Sequence, residues 1–193
     1  MMKKFFIYFL IIFSGLFFFG MKSFAVGNYG PNWEKSVIKV YIPEDSYQGM
    51  MQRAFQKWVE KCNGKLQFEY LDEPPADIEV DFSDKTDGTD GDIGSYSLTV
   101  AGGFITKAQI TIAPNPTKNS NNLIYTVMLH EIGHALGLQD TPRKLSIMST
   151  PVTEAQDFSN TDILRLFHIN GWSYIEKDDK KPLTPPSNPV NSK

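Results

Sequence analysis

The stretch His130-Glu131-Ile132-Gly133-His134 lies in a run of apolar residues with helical spacing, which predicts a helix from 121 or 122 to 136. Residues four apart on a helix lie about 40° apart and one turn along the axis, so both imidazoles can converge on one metal ion. Glu131 then lies beside the ion, where it is suited to act as a general base on water that the metal binds. This H-E-x-x-H pattern therefore predicts a metal-binding helix with a catalytic carboxylate.

The pattern continues beyond the predicted helix in the sequence HEIGHALGLQD. Gly137 can adopt a positive φ and turn the chain sharply. Such a turn would bring Asp140 back to the metal as a third ligand, and a carboxylate oxygen is a normal ligand of zinc. Met148, eight residues after Asp140, is interpreted as a packing residue beneath the metal. The alternative, in which His130 and His134 are ordinary core or surface histidines, accounts less well for the ordered spacing.

Two other residues with metal-binding side chains are assigned structural roles. His168 is the third of three histidines, and it is expected to be structural or exposed because Asp140 has the better spacing for a ligand. Cys62 is the only cysteine, so no intramolecular disulfide can form. Cys62 also falls on the apolar stripe of the first predicted helix, which indicates a buried thiol rather than a reactive one.

The remaining predicted elements alternate between strands and helices. Pro, Gly and Asn-Gly residues, which favour turns, separate runs in which apolar residues recur with period two or at helical spacing. A last helix is expected to start near Ser159, because Ser159 and Asp162 have the spacing of a capping box. The other predictions are a first helix at 46–62 and strands at 36–43, 66–71, 77–82, 95–100 and 104–113.

The H-E-x-x-H stretch, Gly137, Asp140 and Met148 follow one another in an order that resembles the metzincin family. The pattern of that family is H-E-x-x-H-x-x-G-x-x-H followed by a methionine turn. The resemblance is closest to the matrixin branch, the matrix metallopeptidase type, and covers most of residues 33–172. It includes Ala54-Phe55-Gln56-Lys57-Trp58 in the first helix and Ala76-Asp77-Ile78 before a strand. It implies an α+β, zincin-like fold with three helices, one of which carries HExxH. The implied sheet has five strands and is mixed, mostly parallel with one antiparallel edge strand.

The resemblance also implies one catalytic zinc ion held by His130, His134 and Asp140, with Glu131 as general base. The family usually has histidine at the position of Asp140, whereas snapalysin-like enzymes are similar to this chain in carrying aspartate there. The implied function is a zinc metalloendopeptidase that hydrolyses peptide bonds with a zinc-bound water. Two alternatives stay open: a non-catalytic peptide-binding module on the same fold, and a zinc hydrolase of a non-peptide amide.

The implied substrate is an extended polypeptide that pairs with the edge strand. Backbone pairing of this kind is largely indifferent to sequence, so a pocket walled by residues 147–158 would supply any side-chain preference. The residues expected to bind substrate are Gly94, Ser95, Tyr96, Ser97 and Leu98.

Calcium is a second candidate ion, because an acidic loop precedes the edge strand. The spacing of its carboxylates does not fit the EF-hand pattern, and a solvated acidic loop is the favoured interpretation. The carboxylates belong to Asp84, Asp87, Asp90 and Asp92.

The first 25 residues have the layout of a secretory signal, with a basic start, an apolar run and small residues at 23 and 25. An uncleaved anchor is the alternative, but the apolar run of 15 residues is shorter than the roughly 20 that a spanning helix needs. The predicted organisation is a signal peptide at 1–25, a catalytic domain at 26–175 and a disordered tail at 176–193. A net charge of -3 argues against a nucleic-acid partner. A secreted, extracellular monomer with no stable membrane association is expected.

Overall fold

The computed structural model of the chain describes residues 30–86, 93–115 and 117–173. The signal peptide at 1–25 and the tail at 176–193 therefore stay predictions that lie outside the described residues. The same is true of three acidic-loop residues, Asp87, Asp90 and Asp92. Within the described ranges, no helix has the length and apolar character needed to cross a membrane.

The centre of the fold is a five-stranded mixed sheet in the order β2-β1-β3-β5-β4. Three of its pairings are parallel, and β4 alone runs antiparallel, beside β5. This arrangement confirms the sheet that the metzincin resemblance implies. The strands are β1 (Val37–Tyr41), β2 (Gln67–Leu71), β3 (Ile78–Phe82), β4 (Gly94–Ala101) and β5 (Phe104–Ile112).

The central strands bury every second side chain, as a sheet with one face on the core requires. In β3, Ile78 and Val80 are buried while Asp81 is exposed. In β5, Ile110 and Ile112 are completely buried. The period-two alternation that predicted these strands is therefore the result of packing against the helices.

Three helices accompany the sheet: α1 (Gln48–Lys61), α2 (Asn121–Ala135) and α3 (Asn160–Ile169). α1 buries one stripe of side chains that includes Phe55 and Trp58. Cys62 directly follows α1 and is fully buried, and burial raises the pKa of its thiol to about 12. This supports the interpretation of Cys62 as an unreactive packing residue.

The element boundaries differ from the predictions by one to two residues, for local reasons. The first helix starts at Gln48 rather than 46, because the Asp45 carbonyl and side chain accept the backbone N–H groups of Gln48 and Tyr47 in a turn. β4 is longer than predicted, since its pairing with β5 runs from Gly94 to Ala101. The predicted capping box is present, with Ser159 and Asp162 each accepting the other's backbone N–H.

Candidate metal centre and active site

Helix α2 is held rigidly at the end that carries the histidines. Its first turn is capped by the Ser120 side chain, which accepts the backbone N–H of Leu123. Two indoles donate to its backbone carbonyls, Trp58 to Leu129 at 3.0 Å and Trp33 to Ala135 at 2.9 Å. These bonds bring α1 and the segment before β1 against the C-terminal half of α2. The helix therefore presents His130 and His134 from a fixed, buried backbone.

The turn after α2 has the conformation that the glycine predicts. Gly137 has φ +97°, a left-handed conformation that side chains other than glycine rarely adopt. The Leu138 N–H donates to the Gly133 carbonyl at 3.0 Å, which closes the helix end. Since the Gly137 backbone also packs against Pro31, an added Cβ would have no room. The chain therefore reverses at Gly137 and brings Asp140 back beside the two histidines.

Three potential ligand atoms converge at this point. The Nε2 atoms of His130 and His134 are 3.0 Å apart. The Asp140 Oδ1 atom lies 3.4 Å from the first and 3.3 Å from the second. A tetrahedral zinc site with bonds of about 2.0–2.1 Å has ligand atoms about 3.3 Å apart. The spacing of the three atoms therefore fits one zinc ion.

The hydrogen bonds of the two rings direct their lone pairs toward the same point. The Nδ1 atom of His130 donates to the Ile147 carbonyl at 2.7 Å, and that of His134 donates to the Leu138 carbonyl at 2.8 Å. A neutral imidazole with its proton on Nδ1 has an unprotonated Nε2. Burial lowers the pKa of both rings, to about 4 for His134.

At neutral pH the site thus contains two unprotonated ring nitrogens and a carboxylate oxygen in mutual contact. The contacts of Asp140 with the rings are therefore not ion pairs, although their distances fall within that range. Three lone-pair atoms at such distances repel one another unless a cation lies between them. The donor set is one that zinc accepts, so the residues fit the metal.

Glu131 is buried with only 6% of its surface exposed, and its carboxylate faces the edge strand. A Cβ atom placed on Gly94 would lie 2.6 Å from the Glu131 Oε1 atom and 2.5 Å from Val127 Cγ1. Only glycine therefore lets β4 approach α2 this closely. The predicted base and the first residue of the predicted substrate strand are direct neighbours.

A buried hydrogen-bond network supports the turn that carries Met148. The completely buried Asp162 accepts the hydroxyl of Ser146 at 2.7 Å and that of Ser159 at 2.7 Å. Ser146 Oγ in turn accepts the Met148 N–H at 3.1 Å. The Ile147 carbonyl in this turn accepts the hydrogen bond of His130, so Ser146 and Ile147 connect Asp162 to a candidate metal ligand. The sequence identified Asp162 only as a helix cap, and its second bond, to Ser146, had no local signal.

Met148 is completely buried, as expected for a packing residue. Its Sδ atom occupies the space where a side chain on Gly133 of α2 would lie. The glycine inside H-E-x-x-H therefore lets the turn pack directly against the helix beneath the histidines. His168 lies exposed on α3, away from the three converging atoms.

A pocket of about 370 Å³ opens beside the helix. Most of its wall is apolar, and two candidate functional side chains border it. The wall includes Ile93, Val127, Pro151 and Val152, together with His130 and Glu131.

The predicted substrate-binding residues all lie on β4, but their side chains have different environments. β4 ends the strand order and pairs only with β5 among the described strands. Leu98 packs against the core, whereas Ser97 and Tyr96 are exposed. The Tyr96 ring stacks on the His134 ring, with centroids 4.0 Å apart and planes 14° from parallel. Nothing in the spacing of the sequence indicates this contact.

Comparison with known families agrees with this geometry. The sequence model of the matrixin family matches residues 33–168, more than two thirds of the 193-residue chain. No curated protein matches the sequence. The matched range contains all five strands and the three converging side chains, which together could hold the zinc ion that the family implies. The chain therefore belongs to the matrixin family of zinc-dependent peptidases.

Proposed function

We propose that the protein is a secreted zinc endopeptidase that cleaves extended polypeptides. The observation that carries this proposal is the convergence of one ligand atom each from His130, His134 and Asp140 within 4.8 Å. The Glu131 carboxylate lies on the next position of the same helix and borders the same pocket as His130. Ligands and a base are thus grouped at the edge of the sheet.

The proposed mechanism gives each residue one task. His130, His134 and Asp140 would hold the zinc ion, which when bound supplies Lewis-acid chemistry by acidifying water and polarising a carbonyl group. Glu131 accepts a proton from the attacking water and delivers it to the leaving nitrogen. The water oxygen forms a bond to the carbonyl carbon, and the carbon–nitrogen bond breaks. The products are one carboxylic acid and one amine.

The substrate is proposed to lie along β4, in the region of Gly94 to Leu98. The outer edge of this strand has no strand partner among the described residues, so an extended peptide can form backbone hydrogen bonds with it. The apolar pocket bordered by Val127 and Val152 would then accept one substrate side chain. Its volume of about 370 Å³ and its apolar wall favour a large apolar side chain.

The proposal includes export of the protein. The layout of residues 1–25 supports removal of a signal peptide, after which a catalytic domain at 26–175 and a tail at 176–193 would remain. Sequencing of the N-terminus of protein recovered from the medium tests this, and a mature start at Val26 is expected. Recovery only in membranes with Met1 retained would instead support an anchor.

The test of catalysis uses the full chain loaded with zinc and a linear peptide blocked at both termini. Wild type is expected to cut inside this peptide, and a chelator to abolish cleavage until zinc is restored. Glu131→Gln should retain zinc but lower kcat by at least about 100-fold, as loss of a general base does. Glu73→Gln, on the exposed surface, is the matched control and should leave kcat unchanged.

The alternatives give different results in the same experiment. A peptide-binding module would bind zinc and the blocked peptide without cleaving it. A hydrolase of non-peptide amides would leave the peptide intact but release amine from a small amide. Either result with zinc-loaded wild type would contradict the proposed endopeptidase.

A further inference from the structure

Tyr96 occupies an unusual position for a large aromatic residue. It lies on the edge strand β4 with 42% of its surface exposed, so it is not a core residue. One face of its ring is nevertheless covered by His134, at a centroid distance of 4.0 Å and nearly parallel. The contact joins the predicted substrate strand to a metal ligand.

The register of β4 against α2 explains this position. Alternate residues of a strand point to the same face, and Gly94 and Tyr96 are two apart. Gly94 lies against Glu131, and Tyr96 lies against His134, one turn further along α2. One strand face therefore meets the predicted base at one position and a ligand at the next.

The phenol hydroxyl of Tyr96 is available to a substrate. It makes no hydrogen bond to any part of the chain that the structure describes, 30–86, 93–115 and 117–173. The stacking on His134 places the phenol beside the candidate metal site. A phenol ordinarily loses its proton only near pH 10, so its hydroxyl is a neutral donor at neutral pH.

The charge of the site makes such a donor useful. A ligand set with Asp140 carries one more negative charge than a set of three neutral imidazoles, and Glu131 adds another. A carbonyl oxygen that gains negative charge in the transition state would be repelled by the Asp140 carboxylate, whereas Glu131 is neutralised by the proton that it accepts from water. A neutral O–H group directed at that oxygen stabilises it without adding a charge, and such donors contribute strongly to catalysis.

We propose that Tyr96 is a catalytic residue whose hydroxyl donates a hydrogen bond to the carbonyl oxygen of the scissile peptide bond. The proposal rests on the proposed peptidase function and adds a fifth side chain to it. Tyr96 keeps its proton throughout, so the proton transfers remain those of Glu131. The bond strengthens as the carbonyl carbon becomes tetrahedral, because the charge on the oxygen then increases.

The first measurement compares zinc-loaded wild type with Tyr96→Phe, which removes only the hydroxyl. We expect kcat to fall about tenfold or more, towards the roughly 100-fold cost of losing a principal oxyanion donor, while KM and zinc content stay unchanged. Tyr70→Phe is the matched control, because Tyr70 is also half-exposed but lies on β2 at the opposite edge of the sheet. It should leave kcat unchanged.

The second measurement does not depend on turnover. Calorimetry would measure the affinity for a phosphinic peptide, whose tetrahedral phosphorus and charged oxygens imitate the transition state. Tyr96→Phe should weaken this binding by about the factor lost in kcat/KM, and should leave the affinity for a cleaved product peptide unchanged. Equal phosphinate affinity in wild type and Tyr96→Phe would overturn the proposal.

Tyr96→Ala separates the ring from its hydroxyl. If Tyr96→Phe matches wild type while Tyr96→Ala loses zinc or activity, the ring only positions His134 and the proposed role is wrong. A wild type that cleaves no peptide would remove the proposed function, and this inference with it. A wild type that cleaves peptides, with Tyr96→Phe as active, would overturn this inference alone.

Discussion

The site has a buried half and an open half, and they are built differently. The buried half consists of His130, His134, the turn 146–148 and Asp162, and the open half consists of Asp140 and β4. The two histidine side chains are 4% and 3% exposed, whereas that of Asp140 is 54% exposed. Each histidine ring is fixed by a hydrogen bond to a backbone carbonyl. Among the described residues, the Asp140 side chain makes polar contacts only with the two histidines.

This difference separates two tasks. The buried half holds the two histidine Nε2 atoms in place without a metal, because its hydrogen bonds connect only protein groups. Under the proposed function, the open half admits solvent, metal and substrate, and the side chains of Asp140 and Tyr96 are accessible. We therefore expect substitutions in the buried half to reduce folding stability, and substitutions of the exposed side chains Asp140 and Tyr96 in the open half to reduce binding or catalysis at nearly constant stability.

The largest effect is expected from Asp162→Ala. The substitution removes a buried acceptor of three hydrogen bonds and leaves the hydroxyl of Ser146 and the N–H of Ser159 without it. The free energy of unfolding should fall by about 3 kcal/mol, as it does when a buried charged acceptor is lost. Urea denaturation of metal-free protein measures this, since bound zinc would add its own stabilisation.

Asp81→Ala is the matched control, because Asp81 is exposed on β3. It should change stability by less than about 0.5 kcal/mol. If Asp162→Ala also changed stability by no more than this, the network around Ser146 would not support the buried half.

A smaller effect, on a different property, is expected from Asp140→Ala. Loss of a ligand should weaken zinc binding by at least about 100-fold, since even changes to groups around the ligands cost 10- to 100-fold. The stability of the metal-free protein should stay within about 0.5 kcal/mol, because the side chain is exposed. A competition titration with a zinc-binding dye gives the affinity, and urea denaturation gives the stability. A loss of stability as large as that of Asp162→Ala would remove the distinction between the halves.

The smallest expected effect is on the pH dependence of folding stability, and it arises from a histidine of the buried half. Burial lowers the pKa of His134 to about 4, whereas an unfolded histidine titrates near 6.5. The unfolded chain therefore binds more protons between these values, and the stability of metal-free protein falls as pH drops from about 6.5 towards 4. For one histidine the loss between pH 7.5 and 5.5 is about 1 kcal/mol.

The comparison that isolates this term is wild type against His134→Gln. The glutamine side chain does not titrate. The stability of the variant should therefore fall by about 1 kcal/mol less than that of wild type over the same pH interval. Urea midpoints measured at several pH values provide the slopes. Parallel slopes for the two proteins would mean that His134 is not held neutral by its surroundings.

Much of the fold was predictable from local pattern. The alternation of Ile78 and Val80 indicated a strand, and the S-x-x-D spacing of Ser159 and Asp162 indicated the start of α3. The ends of elements were less predictable. The turn at Asp45 depends on hydrogen bonds that compete with the first turn of the helix, and the full length of β4 depends on its pairing with β5. Residue propensities for helix or strand do not include such hydrogen bonds.

The ligand spacing was predictable for the same reason. His130 and His134 are one helical turn apart, and Gly137 permits the reversal that brings back Asp140. Such relations depend only on backbone geometry over about ten residues, so one sequence is enough to find them.

Only the tertiary structure decided what surrounds these ligands. The stacking of Tyr96 on His134, the contact of Gly94 with Glu131 and the bond from Asp162 to Ser146 each join separate elements. Their existence depends on the register of β4 on the sheet and on the packing of α3 against the turn. A local pattern contains neither, because strand register and helix packing are fixed by the side chains of many distant residues together.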